Sequence, residues 1–352
     1  MGKHFEEKGS KRKKKQQNRK ETEQITYSRE YSGNSKLYYD EQILRATELT
    51  KTINDNKRKH NANDRKAKTG NKKNTQRKKS NALLYFIALI CIGAIIYAGV
   101  NIFSWFKDSN DIEEITQDIL DKVDISEIKD GDDVQVVESD EKKGSPYWEY
   151  IKMSLLDVDF SELKKTNDEV VGWIQVNGTN INYPFVQTND NSYYLTHSIL
   201  KEQNEAGWVF LDYRNNIKNL DKNTIIYAHS RLDKAMFGSL KNLLESYWYQ
   251  NEENHIIKMS TETEDTLWQV FSVYHLPTTS DYLRTKFNNG SDFKNFANML
   301  QDRSVYDFNC SVGEDDKIIT LSTCYKNDQK MVMHAKLIKY RSKYWKKNES
   351  VI

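Results

Sequence analysis

Two stretches of this sequence place a reactive side chain at the end of an apolar, β-branched run. Cys324 ends the run KIITLSTC, and His229 ends the run NTIIYAH. An ordinary thiol is only about 3% ionised at pH 7, so a nucleophilic cysteine needs a proton acceptor, which an imidazole can supply. If both runs are strands that end at one rim of a sheet, Cys324 and His229 can form a dyad for acyl transfer.

The other cysteines and histidines have contexts that favour structural roles. Cys91 lies in an uncharged run, and Cys310 precedes an acidic turn with no cation nearby in sequence. A disulfide between Cys310 and Cys324 remains open at this point. Four further histidines lie in or beside aromatic and apolar runs, where packing or surface roles are more common. They are His197, His255, His275 and His334.

Charge is distributed unevenly along the chain. Residues 1–80 carry 24 Lys and Arg against 10 Asp and Glu, a net charge of +14, so with +2 overall the remainder carries −12. This basic segment has few aliphatic side chains and cannot bury enough apolar surface to offset its chain entropy. We expect a disordered tail that is attracted to anionic lipid head groups. A protein partner or nucleic acid are competing interpretations, but no specific nucleic-acid reader accompanies the tail.

An uncharged run of nineteen residues, Ala82 to Val100, follows the tail and is extended by the aromatic-rich IFSWF. It spans roughly 28 Å, close to the thickness of a bilayer's hydrocarbon core. A cleaved signal peptide fits less well, because the run is long and lacks a small-residue cleavage site. We therefore expect a single-pass transmembrane helix at residues 81–106, with residues 1–80 cytoplasmic and residues 107–352 outside, since basic residues precede the run and acidic ones follow it.

Beyond the helix, residues 107–145 mix charges with sparse apolar positions and are expected to form a stalk. Residues 146–352 are rich in aromatic and β-branched side chains, enough for one core. Three stretches in this part have a helical pattern. They are Tyr147–Lys165, Lys234–Trp248 and Ser291–Ser304.

Eight runs in the same region have the pattern of β-strands. They are Gly172–Val176, Ile181–Gln187, Gly207–Asp212, Asn223–His229, His255–Thr261, Thr266–Leu276, Lys317–Cys324 and Met331–Tyr340. Turns rather than regular crossover helices separate them. The sequence therefore predicts a mainly β fold with a closed or nearly closed barrel instead of a doubly wound sheet.

Three blocks of residues, in this order, resemble class B sortases. They are GWIQVNGTNINYPFVQTNDNSYYL (Gly172 to Leu195), NTIIYAHSRLDKAMFGSL (Asn223 to Leu240), and TLSTC followed by KMVMHAKLI (Lys330 to Ile338). The resemblance covers about residues 146–345. It implies an eight-stranded sortase-type β-barrel with peripheral and N-terminal helices, preceded by one transmembrane helix.

The resemblance also implies roles for the dyad. Cys324 matches the nucleophile that attacks a Thr carbonyl in a C-terminal sorting signal of secreted proteins and forms a thioester acyl-enzyme. His229 matches the general acid and base. The acceptor is an amine on a peptidoglycan precursor or a pilin, so the expected reaction is transpeptidation, catalysed at the cell membrane of a Gram-positive-type cell.

No metal or other cofactor is expected. Acidic residues that could suggest a cation site fall in predicted turns, where solvated side chains are the ordinary case. They are Glu262, Glu264, Asp265 and Glu314 to Asp316.

One position departs from the family pattern. Sortases carry an Arg at the start of the strand that follows the cysteine, and Lys330 occupies that place. Lys supplies charge without the planar fork of Arg. Lys330 can act as a substitute, Arg231 can supply a guanidinium from another loop, or the enzyme is a weakly active or inactive scaffold that binds sorting signals. Misalignment of the short loop is a fourth option.

A different cysteine transferase, such as an L,D-transpeptidase, is a competing class of enzyme. Those enzymes show a His-Gly pair and a Ser-x-Gly-Cys block, and neither pattern occurs in this sequence.

Overall fold

The computed structural model describes residues 82–129, 131, 133–139, 141–324 and 328–343. The predicted basic tail, residues 1–80, lies outside them. Helix α1 (Ala82–Lys122) contains the uncharged run and continues through the acidic segment that follows. It is the one helix of the described part that is long and apolar enough to cross a membrane, and its apolar half is exposed. Because α1 crosses the expected boundary at residue 106, the division into anchor, stalk and catalytic domain stays a prediction.

Eight strands close into a barrel, which confirms the predicted fold class. The strands are β4 (Val170–Val176), β5 (Asn182–Val186), β6 (Phe210–Leu211), β7 (Asn223–Tyr227), β8 (Ile256–Thr261), β9 (Glu264–Pro277), β10 (Ile318–Cys324) and β11 (Gln329–Ser342). Their order around the barrel is β10, β7, β6, β5, β4, β8, β9 and β11, and pairing of β11 with β10 closes it.

Most positions of the two longest strands, β9 and β11, are buried. One reason is that α5 (Gly290–Asp302) packs against β9, where the Ser272 hydroxyl donates to the Leu300 carbonyl at 2.6 Å. The buried side chains of α5 recur at helical spacing and include Phe293, Phe296 and Leu300. Most of the length of β9 and β11 is therefore held in place by packing.

The expected helical stretch Tyr147–Lys165 is wrong in its middle. It contains α2 (Tyr147–Tyr150), the strand β3 (Leu155–Val158) and α3 (Ser161–Thr166). β3 pairs with β1 (Ile125–Ile128), whose short, partly charged sequence gives little strand signal. Pairing with this distant partner overrides the local helical pattern. A further short strand, β2 (Val134–Val136), pairs with β11.

The expected helix Lys234–Trp248 forms only in part. The structure has a 3₁₀ helix at Gly238–Leu244 and then α4 (Ser246–Tyr249). Lys234 and Met236 have φ angles of 67° and 53°, which an α-helix cannot contain. The four residues before Gly238 therefore belong to a loop. Two further 3₁₀ turns lie at Tyr193–Leu195 and, directly before β8, at Glu252–Asn254.

Asp265 is not the solvated turn residue that the sequence pattern indicated. Its side chain is fully buried and pairs with Arg341 and with Lys343, whose Nζ lies 2.9 Å from a carboxylate oxygen. Asp157 shares both cations, at 2.8 and 2.9 Å. A charge can be buried here because opposite charges and hydrogen bonds surround it.

Candidate active site

The parallel strands β7 and β10 bring His229 and Cys324 to the same rim. Their register pairs Ile318 with Asn223 and Ser322 with Tyr227. Two residues further along each chain are Cys324 and His229. Side chains alternate between the faces of a strand, so both residues continue the face of Ser322 and Tyr227 on neighbouring strands about 4.8 Å apart.

One hydrogen bond fastens the two strand ends together. The Thr323 hydroxyl donates to the Ala228 carbonyl at 2.7 Å, and both residues are buried. Thr323 and Ala228 directly precede the two reactive residues. This bond therefore fixes the separation of the backbones that carry Cys324 and His229.

Lys330 lies on the other side of the cysteine. β10 pairs with β11 in antiparallel register, and Lys330 is directly opposite Cys324. The Lys330 Nζ donates to the Cys324 Sγ at 3.2 Å. The exposed thiol therefore lies on the central one of three strands, with an ammonium group on one neighbour and an imidazole beyond the end of the other.

His229, Cys324 and Lys330 line one cavity of about 630 Å³. Its other walls come from the loop before β6, from β7 and from the segment after β9. They include Asn191, Leu195, Phe210, Tyr227, Thr278, Tyr282, Leu283 and Ser322. This volume lies within the range of about 300–1,000 Å³ that is usual for ligand pockets, and the lining combines apolar surface with a few polar groups, as such pockets usually do.

The hydrogen bond of His229 defines its neutral tautomer. Nε2 lies 2.7 Å from the Leu195 carbonyl oxygen. A carbonyl only accepts, so Nε2 carries the hydrogen and donates it. Nδ1 is then the nitrogen with the lone pair and the one that can accept a proton. The side chain is half-buried at the cavity wall.

The remaining cysteines take no part in this arrangement. Cys310 is 3% exposed, and burial raises the pKa of its thiol to about 12, so its inert role stays a prediction that its burial supports. All three cysteines are free, so the disulfide between Cys310 and Cys324 is not formed. Cys91 lies within the exposed apolar part of α1.

Arg231 is occupied elsewhere. Its side chain is buried and pairs with Asp233 at 2.9 Å, and its guanidinium lies 5.3 Å from the centre of the Trp105 ring. Among the residues that line the cavity, Lys330 is the cation that contacts the sulfur. This geometry favours Lys330 over Arg231 as the source of positive charge.

A buried carboxylate that the sequence analysis did not single out lies behind the cavity wall. Asp212, 0% exposed, accepts hydrogen bonds from Asn191 Nδ2 at 3.0 Å and from the Tyr227 hydroxyl at 2.9 Å. Arg214 donates to it at 2.8 and 2.7 Å and also to the Leu283 carbonyl at 3.1 Å. Asn191, Tyr227 and Leu283 all line the cavity, so Asp212 connects three of its walls.

The ionisation of these wall residues follows from their contacts. Burial opposes a charge on Asp212, but hydrogen bonds from Arg214 and Tyr227 outweigh it and hold the pKa of the carboxyl below its usual range. Burial raises the pKa values of Tyr227 and Tyr282, so both phenols stay neutral. The only sequence signal for Asp212 was its place at the end of an apolar run, two residues before Arg214.

Three other histidines considered above have structural contacts. His334 is buried, and its ring nitrogens lie 2.8 Å from the Tyr274 hydroxyl and 2.9 Å from the Thr320 hydroxyl. His255 is buried beside Tyr150 and is not among the residues that line the cavity. His197 stacks on Tyr193 at 4.1 Å between ring centroids. Within the described residues, no group of three His, Cys, Asp or Glu side chains is placed to hold a metal ion.

Comparison with known proteins identifies the family of this chain. Residues 174–338 match the sortase domain family. Sortase B of Staphylococcus aureus (strain NCTC 8325 / PS 47) is 37% identical over 184 residues, which cover 51% of this chain and 75% of that protein. The chain belongs to the sortase family.

This sortase is also similar to two further class B enzymes. Sortase B of Listeria monocytogenes serovar 1/2a is 36% identical over 184 residues, 51% of this chain and 74% of that protein. The crystal structure of sortase B from B. anthracis in complex with AAEK1 superposes with a TM-score of 0.53 at 32% identity, covering 68% of this chain and 99% of that one. The resemblance to class B sortases is thereby confirmed. Membership of the family implies cysteine transpeptidase activity.

Proposed function

We propose that this sortase cleaves a C-terminal sorting signal of secreted proteins and transfers the protein to an amine acceptor, with Cys324 as nucleophile and His229 as general acid and base. The observation that supports it most is the position of the Cys324 sulfur, 3.2 Å from the Lys330 ammonium group and in the same cavity as the His229 imidazole. Class B relatives and the shape of the cavity support a peptide substrate.

The first half-reaction forms a thioester. The Cys324 thiolate attacks the peptide carbonyl carbon and a C–S bond forms. The C–N bond then breaks, and the leaving amine takes a proton from the His229 imidazolium. Lys330 can donate a hydrogen bond to the thiolate and, as attack proceeds, to negative charge that develops near the sulfur.

The second half-reaction reverses these roles. The acceptor amine gives a proton to neutral His229 at Nδ1 and attacks the thioester carbonyl. The new amide bond forms, the C–S bond breaks, and the electron pair returns to the Cys324 sulfur. We propose an amine of a peptidoglycan precursor or of a pilin as the acceptor.

Lys330 is the working substitute for the family's Arg in this proposal. Its Nζ already touches the sulfur, whereas Arg231 is held by Asp233 and Trp105. An ammonium group is a point charge and cannot grip a carbonyl at two places as a guanidinium does. This difference also favours a second candidate function, a weakly active or inactive scaffold that binds sorting signals.

We further infer that α1 anchors the enzyme in the cell membrane as a single span, with the N-terminus cytoplasmic and the catalytic domain outside. The exposed apolar half of α1 and the change from basic to acidic residues across it support this topology. Accessibility of cysteines introduced at Ser80 and at Glu138 to an impermeant thiol reagent, in intact cells and after lysis, tests it. Labelling of the Ser80 site in intact cells contradicts the orientation.

A transpeptidation assay tests the catalytic proposal. The full chain in detergent is incubated with a panel of sorting-signal peptides and with a small primary amine, and the joined product is followed by mass spectrometry. An amine-dependent product supports the transpeptidase. Saturable peptide binding without cleavage, measured by fluorescence anisotropy, favours the scaffold.

A further inference from the structure

The C-terminal half of α1 has a continuous face that packs on the catalytic domain. Its members recur at intervals of four and three residues, the spacing that keeps side chains on one side of a helix. Each of them touches a residue of the domain or is buried at least in part. They are Trp105, Ser109, Ile112, Thr116 and Ile119, and Val123, which directly follows the last residue of α1, continues the face.

The first turns of this face contact the loop that follows His229. The Trp105 ring lies under the Arg231 guanidinium at 5.3 Å, and the Ser109 hydroxyl donates to a carboxylate oxygen of Asp233. Asp233 in turn accepts from Arg231 and from the backbone amide of Ala235. Burial opposes a charge on Asp233, but the hydrogen bonds from Arg231 and Ser109 outweigh it and lower the pKa of the carboxyl.

This loop is tight, so a shift at Arg231 or Asp233 reaches His229. The backbone amide of Phe237 donates to the His229 carbonyl at 3.0 Å, and Ser230 forms a bridge with Met236. Gly238 lies so close to Arg231 that a Cβ on it would fall 2.3 Å from the Arg231 carbonyl oxygen. The loop from His229 to Gly238 therefore behaves as one packed unit.

The same part of α1 also contacts the segment that accepts the His229 hydrogen bond. Asn204 Nδ2 donates to the Asp108 carbonyl at 3.2 Å. The Asn204 backbone amide donates to the Thr196 carbonyl at 2.9 Å, one residue after Leu195, whose carbonyl accepts from the imidazole. α1 thus contacts both segments that hold the His229 ring in place.

We propose that residues 105–122 of α1 are a positioning element of the active site, through which the membrane-proximal helix fixes the His229 imidazole relative to Cys324. The polar and cation–π contacts of α1 are made to the loop 229–238 and to the segment 194–207, which hold this ring. The apolar part of the face packs against the domain. This inference rests on the proposed catalytic role of His229. It makes turnover dependent on docking of a helix that is continuous with the expected membrane span.

Paired substitutions on the helix test the proposal without touching the domain. Ser109→Ala removes the donor to Asp233 and Trp105→Leu removes the ring face, whereas Ser109→Thr and Trp105→Phe retain them. In Ser109→Ala and Trp105→Leu we expect the rate of acylation at saturating peptide to fall about tenfold. The peptide concentration at half-saturation should stay within about twofold of the wild-type value, because misorientation of a base lowers the rate more than it weakens binding. Ser109→Thr and Trp105→Phe should retain most of the wild-type rate of acylation. Glu113→Ala, on the exposed side of α1, is the matched control.

A second measurement does not depend on activity. Hydrogen exchange followed by mass spectrometry reports the protection of residues 229–238 and 194–207 in the same variants. Faster exchange of both segments in Ser109→Ala and Trp105→Leu, but not in Glu113→Ala, is the expected result. Unchanged exchange, or faster exchange with an unchanged acylation rate, overturns the proposal. A wild-type enzyme that never acylates contradicts the proposed function instead, and the exchange data still decide whether the helix holds these segments.

Discussion

The Nζ of Lys330 donates a hydrogen bond to the Sγ of Cys324 at 3.2 Å, and the two residues face each other across neighbouring strands. This contact places a positive charge where class B sortases are expected to carry a guanidinium. It ties the reactivity of the thiol to a side chain that the sequence marks as a departure from the family.

Substitution of Lys330 should separate the roles of charge and shape. Lys330→Ala should lower the rate of transpeptidation by at least about tenfold, because a charge-assisted hydrogen bond to the reacting sulfur is lost. Lys330→Arg should retain or raise the rate, and Lys330→Met, which keeps an unbranched apolar stem but lacks the ammonium group, should behave like Lys330→Ala. Steady-state kinetics with a sorting-signal peptide measure all three. A silent Lys330→Ala combined with an inactive Arg231→Ala would transfer the role to Arg231.

Asp212→Asn should weaken substrate binding more than it slows turnover. The amide keeps one acceptor oxygen but places an NH₂ group against Asn191, Tyr227 or Arg214, so the cavity walls lose part of their common anchor. We expect the KM to rise about fivefold and the free energy of unfolding to fall by about 2 kcal/mol. Asp302→Asn, at an exposed position, serves as the control. An unchanged KM would contradict the role of Asp212 in shaping the cavity.

The cysteines should differ sharply in their reaction with iodoacetamide. Cys324 is exposed, whereas Cys310 is buried and its pKa is raised to about 12 by that burial. Only a thiolate reacts, so Cys310 should remain unmodified in the folded protein and react after unfolding in guanidinium chloride. Peptide mapping of the full chain and of the Cys324→Ala variant measures this. Rapid labelling of Cys310 under native conditions would show that the core around it is open.

The stability of the protein should fall in mild acid, in part because of His334. Burial, with the positive charge of Arg303 as a second cause, lowers the pKa of His334 from 6.5 to about 3. Below pH 6.5 His334 is protonated in the unfolded chain but stays neutral in the folded chain. The contribution of neutral His334 to the free energy of unfolding is therefore complete above pH 6.5 and declines as the pH falls towards 3. Between pH 6.5 and pH 5 the loss is about 2 kcal/mol.

Thermal unfolding at pH 7 and pH 5 measures that loss. The His334→Gln variant, which does not titrate, should show a smaller difference between the two pH values than the wild type, even if it is less stable at both. Equal differences in the two proteins would mean that other groups account for the acid sensitivity.

Much of the barrel was predictable from local pattern. All eight predicted strand regions contain observed strands, because β-branched and aromatic runs bounded by turn residues carry their own signal. β1, β2 and β3 were missed, since they are short and depend on partners far away in the chain. The docked face of α1 was also missed, although its spacing of four and three residues was present in the sequence between Trp105 and Val123.

The active site was predictable only in part. Cys324 and His229 could be named because each ends an apolar, β-branched run of the sequence, and Lys330 because a family resemblance drew attention to its position. All three residues line one cavity, as expected of residues that act together, while their catalytic roles stay predictions. Asp212 could not be found, because the hydrogen bonds that define its role join residues that come together only in the folded barrel.

The proposed reaction requires Cys324 to carry the acyl group. Intact-mass analysis and peptide mapping of the full chain, incubated with a sorting-signal peptide in the absence of an acceptor amine, detect this acyl-enzyme. We expect an adduct on Cys324 with the mass of the N-terminal cleavage fragment, lost when an amine is added and absent in Cys324→Ala. Amine-dependent product of undiminished yield from Cys324→Ala would show that another group carries the acyl intermediate.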